Sequence, residues 1–355
     1  MDRAIRWGIF GTGRMAATFA EGLASVPGAV LAGVASRSRE RAERFAAASG
    51  AARAYPSYEA LAADPQIDVV YIATPHACHA EQARMTLEAG RAALVEKPFA
   101  LSAAEAREVV SVARRRGLFC MEAMWTRFSP AARAALDAVR GGAIGEPTMA
   151  RLELGMPFTF DPERPLFRPE LGGGALLDLG VYPLSLASHL FGAPTNIQAA
   201  ATIGESGVDE QVTAILRYPG GAQALIGASI RSPMANEGVI MGRRGLVTLH
   251  APLYFPTSFT VREVAPHGPP RFSPGSHLSR LRQSAPAQAL AARLRPLLGR
   301  PTVPRVSGNG YNYEATAVME CLRAGKLEHP DMPLDESVQI LEAADEIRRQ
   351  IGTMR

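Results

Sequence analysis

Residues 5–16 read Ile5-Arg6-Trp7-Gly8-Ile9-Phe10-Gly11-Thr12-Gly13-Arg14-Met15-Ala16. The apolar run predicts a strand over 5–10, and the residues from Arg14 to Ser25 predict a helix. Between them lies the pattern GxGxxA. Its first glycine suits a tight turn, its second lets backbone approach a pyrophosphate, and Ala16 lets the helix pack close to the strand. The helix N-terminus then faces the phosphates. Glycine turns without a ligand share so short a pattern, so its weight depends on what surrounds it.

Beyond this turn, apolar runs alternate with helical patterns. Strands are expected at 29–35, 69–73, 92–95 and 118–121. Helices are expected at 14–25, 39–48, 58–63, 79–89 and 102–116, the last opened by Ser102 with Glu105 three residues on. Alternation of this kind means βαβ units and a parallel sheet. GxGxxA after the first strand of such a series predicts a dinucleotide-binding, Rossmann-type domain over 1–124.

Beyond residue 124 the pattern changes. Strands are expected at 148–156, 197–203, 211–218, 222–230, 238–241 and 246–250, with Pro219-Gly220-Gly221 as a hairpin turn. Helices are expected at 175–190, 314–324 and 335–350. The expected class is α/β: a parallel Rossmann sheet, then a second α/β domain over 125–355 with a mostly antiparallel sheet. A Pro/Arg-rich insert over about 256–305 reads as a surface loop with a short basic helix inside it.

The 355 residues are 47% hydrophobic and 20% charged, enough for two cores. No apolar run is long enough to span a membrane. Cys78, Cys120 and Cys321 are far apart with no CxxC, so they read as reduced thiols, and a cytoplasmic protein is expected. From Val264 to Tyr313 the chain has seven arginines and no acid, so a net charge of +4 leaves the remainder at −3. A mildly acidic body with one basic segment argues against a nucleic-acid binder. Leu278–Arg282 and Leu290–Arg295 have amphipathic character, but Pro286 and Pro296 interrupt them, and no stable membrane association is expected.

The end of the second strand bears on the cofactor. An NAD site places Asp or Glu there for the ribose 2′-OH. Here Ala35-Ser36-Arg37-Ser38-Arg39 carries no acid before Glu40. A hydroxyl and a guanidinium would bind a 2′-phosphate, so NADP is expected, with NAD possible. The other reading is that Arg37 and Arg39 only begin a solvated helix.

Two further segments suggest chemistry. Glu96-Lys97-Pro98 comes after the fourth main strand at its C-terminal end, where open α/β sheets bind ligands. Partial desolvation would lower the pKa of Lys97 and let it exchange a proton with a hydroxyl or carbonyl. Downstream, Gly172-Gly173-Gly174 precedes a helix in which Asp178 and Tyr182 stand four apart, on one face. An acid and a phenol there can orient and protonate one oxygen. Taken singly, the first piece could be surface sequence, and the second a core tyrosine with an acid favoring the helix dipole.

Together these pieces resemble the Gfo/Idh/MocA oxidoreductase family over nearly the whole chain. The resemblance rests on the GxGxxA turn, Thr74-Pro75-His76-Ala77-Cys78-His79, Glu96-Lys97-Pro98, the triple glycine with Asp178 and Tyr182, and Gly310-Tyr311-Asn312-Tyr313-Glu314-Ala315. Met121-Glu122-Ala123-Met124-Trp125-Thr126-Arg127-Phe128 and the tyrosine at 182 are similar to the dihydrodiol and NADP-dependent D-xylose dehydrogenase branch. Inositol dehydrogenases have histidine in place of Tyr182.

The resemblance implies Lys97 as the central acid/base, with Asp178 and Tyr182 beside it. It implies a cofactor site of Gly11, Thr12, Gly13, Arg14, Met15, Ser36, Arg37, Thr74, Pro75, His76, His79, Glu96 and Lys97. Trp125 and Phe167 are expected in the substrate pocket, and the outer face of the second sheet is expected to make a homodimer or higher homo-oligomer. No metal is expected, since His76 and His79 have no evident third ligand. The expected reaction is hydride transfer between nicotinamide and a small-molecule sugar or vicinal diol, with Lys97 or Tyr182 taking the hydroxyl proton. Two other readings share the fold: a non-catalytic NADP-binding regulator, and a glycosidase that uses NAD.

Overall fold

The computed structural model describes residues 3–264, 286 and 301–353. The two amphipathic stretches expected at 278–282 and 290–295 lie outside the described residues. The N-terminal part builds β1 (Ile5–Phe10), α1 (Arg14–Leu23), β2 (Ala29–Ala35), α2 (Arg39–Ser49), β3 (Ala54–Tyr55), α3 (Tyr58–Ala63), β4 (Val69–Ile72), α4 (His79–Glu88), β5 (Ala92–Glu96), α5 (Ala103–Arg116) and β6 (Cys120–Ala123). The strands form one parallel sheet in the order β3-β2-β1-β4-β5-β6. Its apolar runs are buried on both faces, as a parallel sheet between helices requires. Chain direction across the sheet reverses between β1 and β4, which opens a crevice at their C-terminal ends.

The second part builds α6 (Pro130–Arg140), β7 (Pro147–Gly155), α7 (Val181–Phe191), β8 (Asn196–Ile203), β9 (Asp209–Arg217), β10 (Gln223–Ser229), β11 (Gly238–Gly242), β12 (Gly245–Leu249), β13 (Phe259–Glu263), α8 (Tyr311–Arg323) and α9 (Leu334–Gln350). Its sheet runs β13-β12-β11-β7-β10-β9-β8. All neighbors are antiparallel except β7 and β10. The β9–β10 hairpin turns at Pro219–Gly221, where Gly220 and Gly221 take φ of +79° and +88°.

Three expectations change. The expected helix over 175–190 begins as a turn of π-helix, Leu176–Gly180, and becomes α-helical at Val181. The front of the expected insert is a strand, β13, and Thr302 exchanges backbone hydrogen bonds of 2.7 and 3.0 Å with Phe259. No element is expected over 130–140, yet α6 forms there, with Ser129 accepting from Ala132 N and Pro130 in the first turn.

Two late elements return to the first sheet. α8 packs on α1, with Asn309 donating to Thr18 O at 2.8 Å, and α9 packs on both α5 and α7. Trp125 and Tyr311, at the ends of segments far apart in sequence, therefore stack with centroids 4.6 Å apart over the crevice.

Candidate active site

The glycine turn builds the first half of the site. Gly11 has φ +101°, and a Cβ on it would stand 2.6 Å from Ala73 O, so only glycine fits between β1 and β4. Gly13 caps α1, and nothing lies within 4 Å of where its Cβ would be, which leaves the backbone open to a ligand. A cavity of about 540 Å³ lies against this turn, bounded by Ser36–Ser38 with Arg41 and by Ala73–Pro75. No acidic residue lines it. Arg39 pairs with Glu43 at 2.8 Å, while Arg37 and Arg41 pair with no acid among the described residues. This open cradle with unneutralized guanidinium groups fits a dinucleotide. Ser38, Arg41 and Tyr58 also line it and were not expected; Arg41 lies four residues from Arg37, a spacing that could have drawn notice.

A second cavity, of about 390 Å³, shares Arg14, Met15, Ala73 and Thr74 with the first. Glu96, Lys97, Asp178, Tyr182, His76 and Trp125 all reach it. Lys97 Nζ donates to Asp178 O at 2.8 Å and to Asp178 Oδ1 at 2.9 Å, and sits 5.2 Å from the centroid of the Tyr182 ring. Glu96 accepts from Lys97 N at 3.1 Å and from the Tyr71 hydroxyl. Burial holds the Glu96 carboxyl above the usual carboxylate range.

The expected lowering of the Lys97 pKa is overturned. Burial disfavors the ammonium, but the Asp178 carboxylate in contact with it, helped by Tyr182 and Glu96, raises its pKa above that of ordinary lysine. Asp178 is correspondingly held below its ordinary value, since Lys97 and His76 outweigh its burial. Burial pushes the Tyr182 phenol up to about 12, against the opposing pull of the Lys97 charge.

The two histidines do different work. Burial and the charge of Lys97 push His76 down to about 4, so it is neutral near pH 7. Its Nδ1 lies 3.2 Å from Gly172 O, which can only accept, and so carries the proton. His79 is buried with Nδ1 2.7 Å from Pro98 O and Nε2 2.9 Å from Thr74 O, which ties the ends of β4 and β5 together. Burial keeps its pKa below the ordinary value, and a neutral ring donates to only one of these carbonyls. Thr74 itself donates to Gln82 at 2.6 Å. Among the described residues no three His, Cys, Asp or Glu side chains cluster as metal ligands.

The walls of the second cavity are aromatic. Trp125 stacks with Tyr311 at 4.6 Å and with Phe255 at 4.8 Å, and Tyr254 lies parallel to it at 5.9 Å. Met156 and Phe158 also line the cavity. Phe167 is not among the lining residues. It is buried against Phe160, 5.1 Å away, beside a separate cavity, and Phe158 of the same loop takes the place expected for it.

Comparison with known proteins bears on the fold and the family. Residues 5–124 match the oxidoreductase family with an NAD-binding Rossmann fold, and residues 132–248 match the GFO/IDH/MocA C-terminal domain. This chain belongs to the Gfo/Idh/MocA oxidoreductase family. Trans-1,2-dihydrobenzene-1,2-diol dehydrogenase of Mus musculus is 38% identical over 353 residues, covering 98% of this chain and 97% of that protein. The Homo sapiens protein of the same name is 37% identical over 357 residues, with the same coverage. Among solved structures of the fold, a 3-ketoreductase from Actinomadura kijaniata in complex with NADP and TDP-benzene superposes with a TM-score of 0.80 at 23% identity, covering 98% of each chain. The aldose–aldose oxidoreductase of Caulobacter crescentus superposes with a TM-score of 0.82 at 22% identity, covering 99% of each chain.

Proposed function

We propose that this family member is an NADP-dependent dehydrogenase of ring-borne vicinal diols or sugars, with Lys97 and Tyr182 as its acid/base pair. The observation that carries this reading is the convergence of Lys97, Asp178 and Tyr182 in a cavity whose wall continues into the dinucleotide cradle. The Gly11–Met15 turn would hold the pyrophosphate, and Ser36, Arg37 and Arg41 the 2′-phosphate. Thr74, Pro75, His76 and Glu96 would border the nicotinamide end. When bound, the nicotinamide supplies or accepts a hydride at the substrate carbon.

The chain's own residues manage the proton. With Lys97 held as a cation and Tyr182 as a phenol, the resting site is set to donate. In carbonyl reduction the Tyr182 hydroxyl gives its proton to the developing alkoxide, and the Lys97 charge stabilizes the phenolate left behind. In the reverse direction the same phenolate takes the hydroxyl proton. Asp178 holds the ammonium in place and keeps it charged. The aromatic walls exclude water and offer ring faces to a flat or cyclic substrate. The dihydrodiol names of the relatives at 37–38% identity support a cyclic diol.

The outer face of β8 and β9, where exposed Gln198, Ala200, Thr213 and Ile215 lie together, suits a second copy of the chain. No described helix is long and apolar enough to cross a membrane. The test is initial-rate reduction of NADP+ and NAD+ with arene dihydrodiols, aldoses and inositols. Turnover of a diol or aldose with NADP+ preferred is the expected result. Cofactor binding without turnover across the panel would favor a regulator instead, and release of an aglycone without net cofactor reduction would favor a glycosidase.

A further inference from the structure

We propose that Asp209, outside the reaction cavity, is a positioning residue that fixes the π-helical turn aiming Asp178 at Lys97. The proposal rests on the reading of Lys97, Asp178 and Tyr182 as the reacting set. Asp209 is the first residue of β9 and is 5% exposed. Its Oδ2 accepts from Leu176 N at 2.7 Å, at the start of the Leu176–Gly180 π turn, and the Ala175 N–H also favors its charged form. Leu176 and Asp209 are thirty-three residues apart, so a strand of the second sheet fixes the entry of the helix.

The glycines before the helix make room for this contact. Gly174 has φ +113°, and a Cβ there would stand 2.3 Å from Asp209 Oδ1. A Cβ on Gly173 would stand 2.6 Å from Leu166 O. Two of the three glycines in the motif are thereby explained by the seating of this helix rather than by approach to a ligand. Among the described residues no cation lies within ion-pair distance of Asp209. Arg348 on α9 lies near enough only to favor its charge, and burial pushes the carboxyl up to about 6. A carboxylate kept in so costly a place is there for the backbone it caps.

The π turn determines what reaches Lys97. Asp178 lies in the middle of it and offers its carbonyl and its carboxylate to Nζ, at 2.8 and 2.9 Å. In the π register a carbonyl accepts from the N–H five residues on. Five residues after Asp178 is Pro183, which has no N–H. The Asp178 carbonyl is thus left for the lysine, provided the turn keeps this register. The Asp209 cap holds the register from the front and Pro183 from the back.

The experiment compares Asp209→Ala and Asp209→Asn with the parent full-length protein. It measures kcat and KM with NADPH and a ketone substrate, and NADPH affinity by fluorescence titration. Asn keeps a carbonyl oxygen to accept from Leu176 N and should stay within about threefold of the parent kcat. Ala removes the acceptor and should lower kcat at least about tenfold, since an ångström of misplacement at a reacting group costs up to ~100-fold. NADPH affinity should not change. If Asp209→Ala does not fold, Asp209→Ser replaces it, being one atom shorter and able to hold a water in the space left; the same loss is expected. A folded Ala or Ser variant with the parent kcat overturns the proposal, and so does an Asn variant as impaired as Ala. Lys97→Met, assayed alongside, separates the two ideas. If that variant keeps its turnover, the reaction centre itself is misassigned, whatever Asp209 does.

Discussion

Arg37→Ala should weaken NADPH and leave NADH almost untouched. Arg37 lines the dinucleotide cradle and pairs with no acid among the described residues, so its charge is available to a ligand. A hydrogen bond to a charged group contributes about 1.5–3 kcal/mol, and about 1.4 kcal/mol is a factor of ten in affinity. That range corresponds to roughly 10- to 150-fold. Arg37 is exposed, which places the expected loss near the lower end, about tenfold. The contact is also salt-sensitive, because the Debye length falls from about 10 Å at 0.1 M salt to about 3 Å at 1 M. The assay is fluorescence titration of both dinucleotides at low and high salt. The parent protein should lose NADPH affinity with salt more steeply than the variant. NADH has no 2′-phosphate, and its affinity should move by less than about twofold. Equal weakening of both dinucleotides, or of neither, would refute the assignment of this end of the cavity to the 2′-phosphate.

The same geometry sets other outcomes. Tyr182→Phe keeps the ring beside Lys97 and removes the proton donor; kcat for carbonyl reduction should fall by about 10²–10⁴-fold, with NADPH affinity unchanged by titration. With Tyr182 held at about 12 and Lys97 above its ordinary value, both groups carry their protons at pH 7. Diol oxidation, which needs the phenolate, should therefore speed up steadily from pH 7 to 10 in initial-rate assays, and a rate that is flat or falls over that range would contradict the assignment. Glu336 is partly buried, which alone would raise its pKa, but His189 and the bidentate Arg127 guanidinium at 2.7 and 2.9 Å hold it down at about 2. A depressed carboxylate stabilizes the fold above its unfolded pKa of about 4.5 and loses that contribution as pH falls toward 2; the difference is on the order of 3 kcal/mol. Thermal unfolding between pH 6 and 3 should show stability lost mainly below pH 4.5, and Glu336→Gln should flatten that slope.

Legibility in the sequence was local. The GxGxxA turn, the apolar strands and the Pro-Gly-Gly hairpin each signal themselves within a few residues, and with them the two sheets. Lys97, Asp178 and Tyr182 were recognizable as candidates, but the charge state of Lys97 was not. It depends on a carboxylate eighty-one residues away, and burial taken alone points in the wrong direction. The choice between Phe158 and Phe167 depends on the path of one loop, which no local pattern encodes. The parallel pairing of β7 with β10 is likewise a long-range choice. α6 is a different case: Ser129-Pro130 before apolar residues at 131, 135, 136 and 139 is a readable helix start. The π turn is set by Asp209 and Pro183 together, and only the proline is near in sequence.

The central claim is that Lys97, held by Asp178 beside Tyr182, serves proton transfer next to the nicotinamide end of the cradle. Lys97→Met tests it most directly. The variant should bind NADPH within about threefold of the parent and lose at least about 10²-fold in kcat for both reduction and oxidation. Parent-like turnover in a variant that binds NADPH normally would contradict the claim.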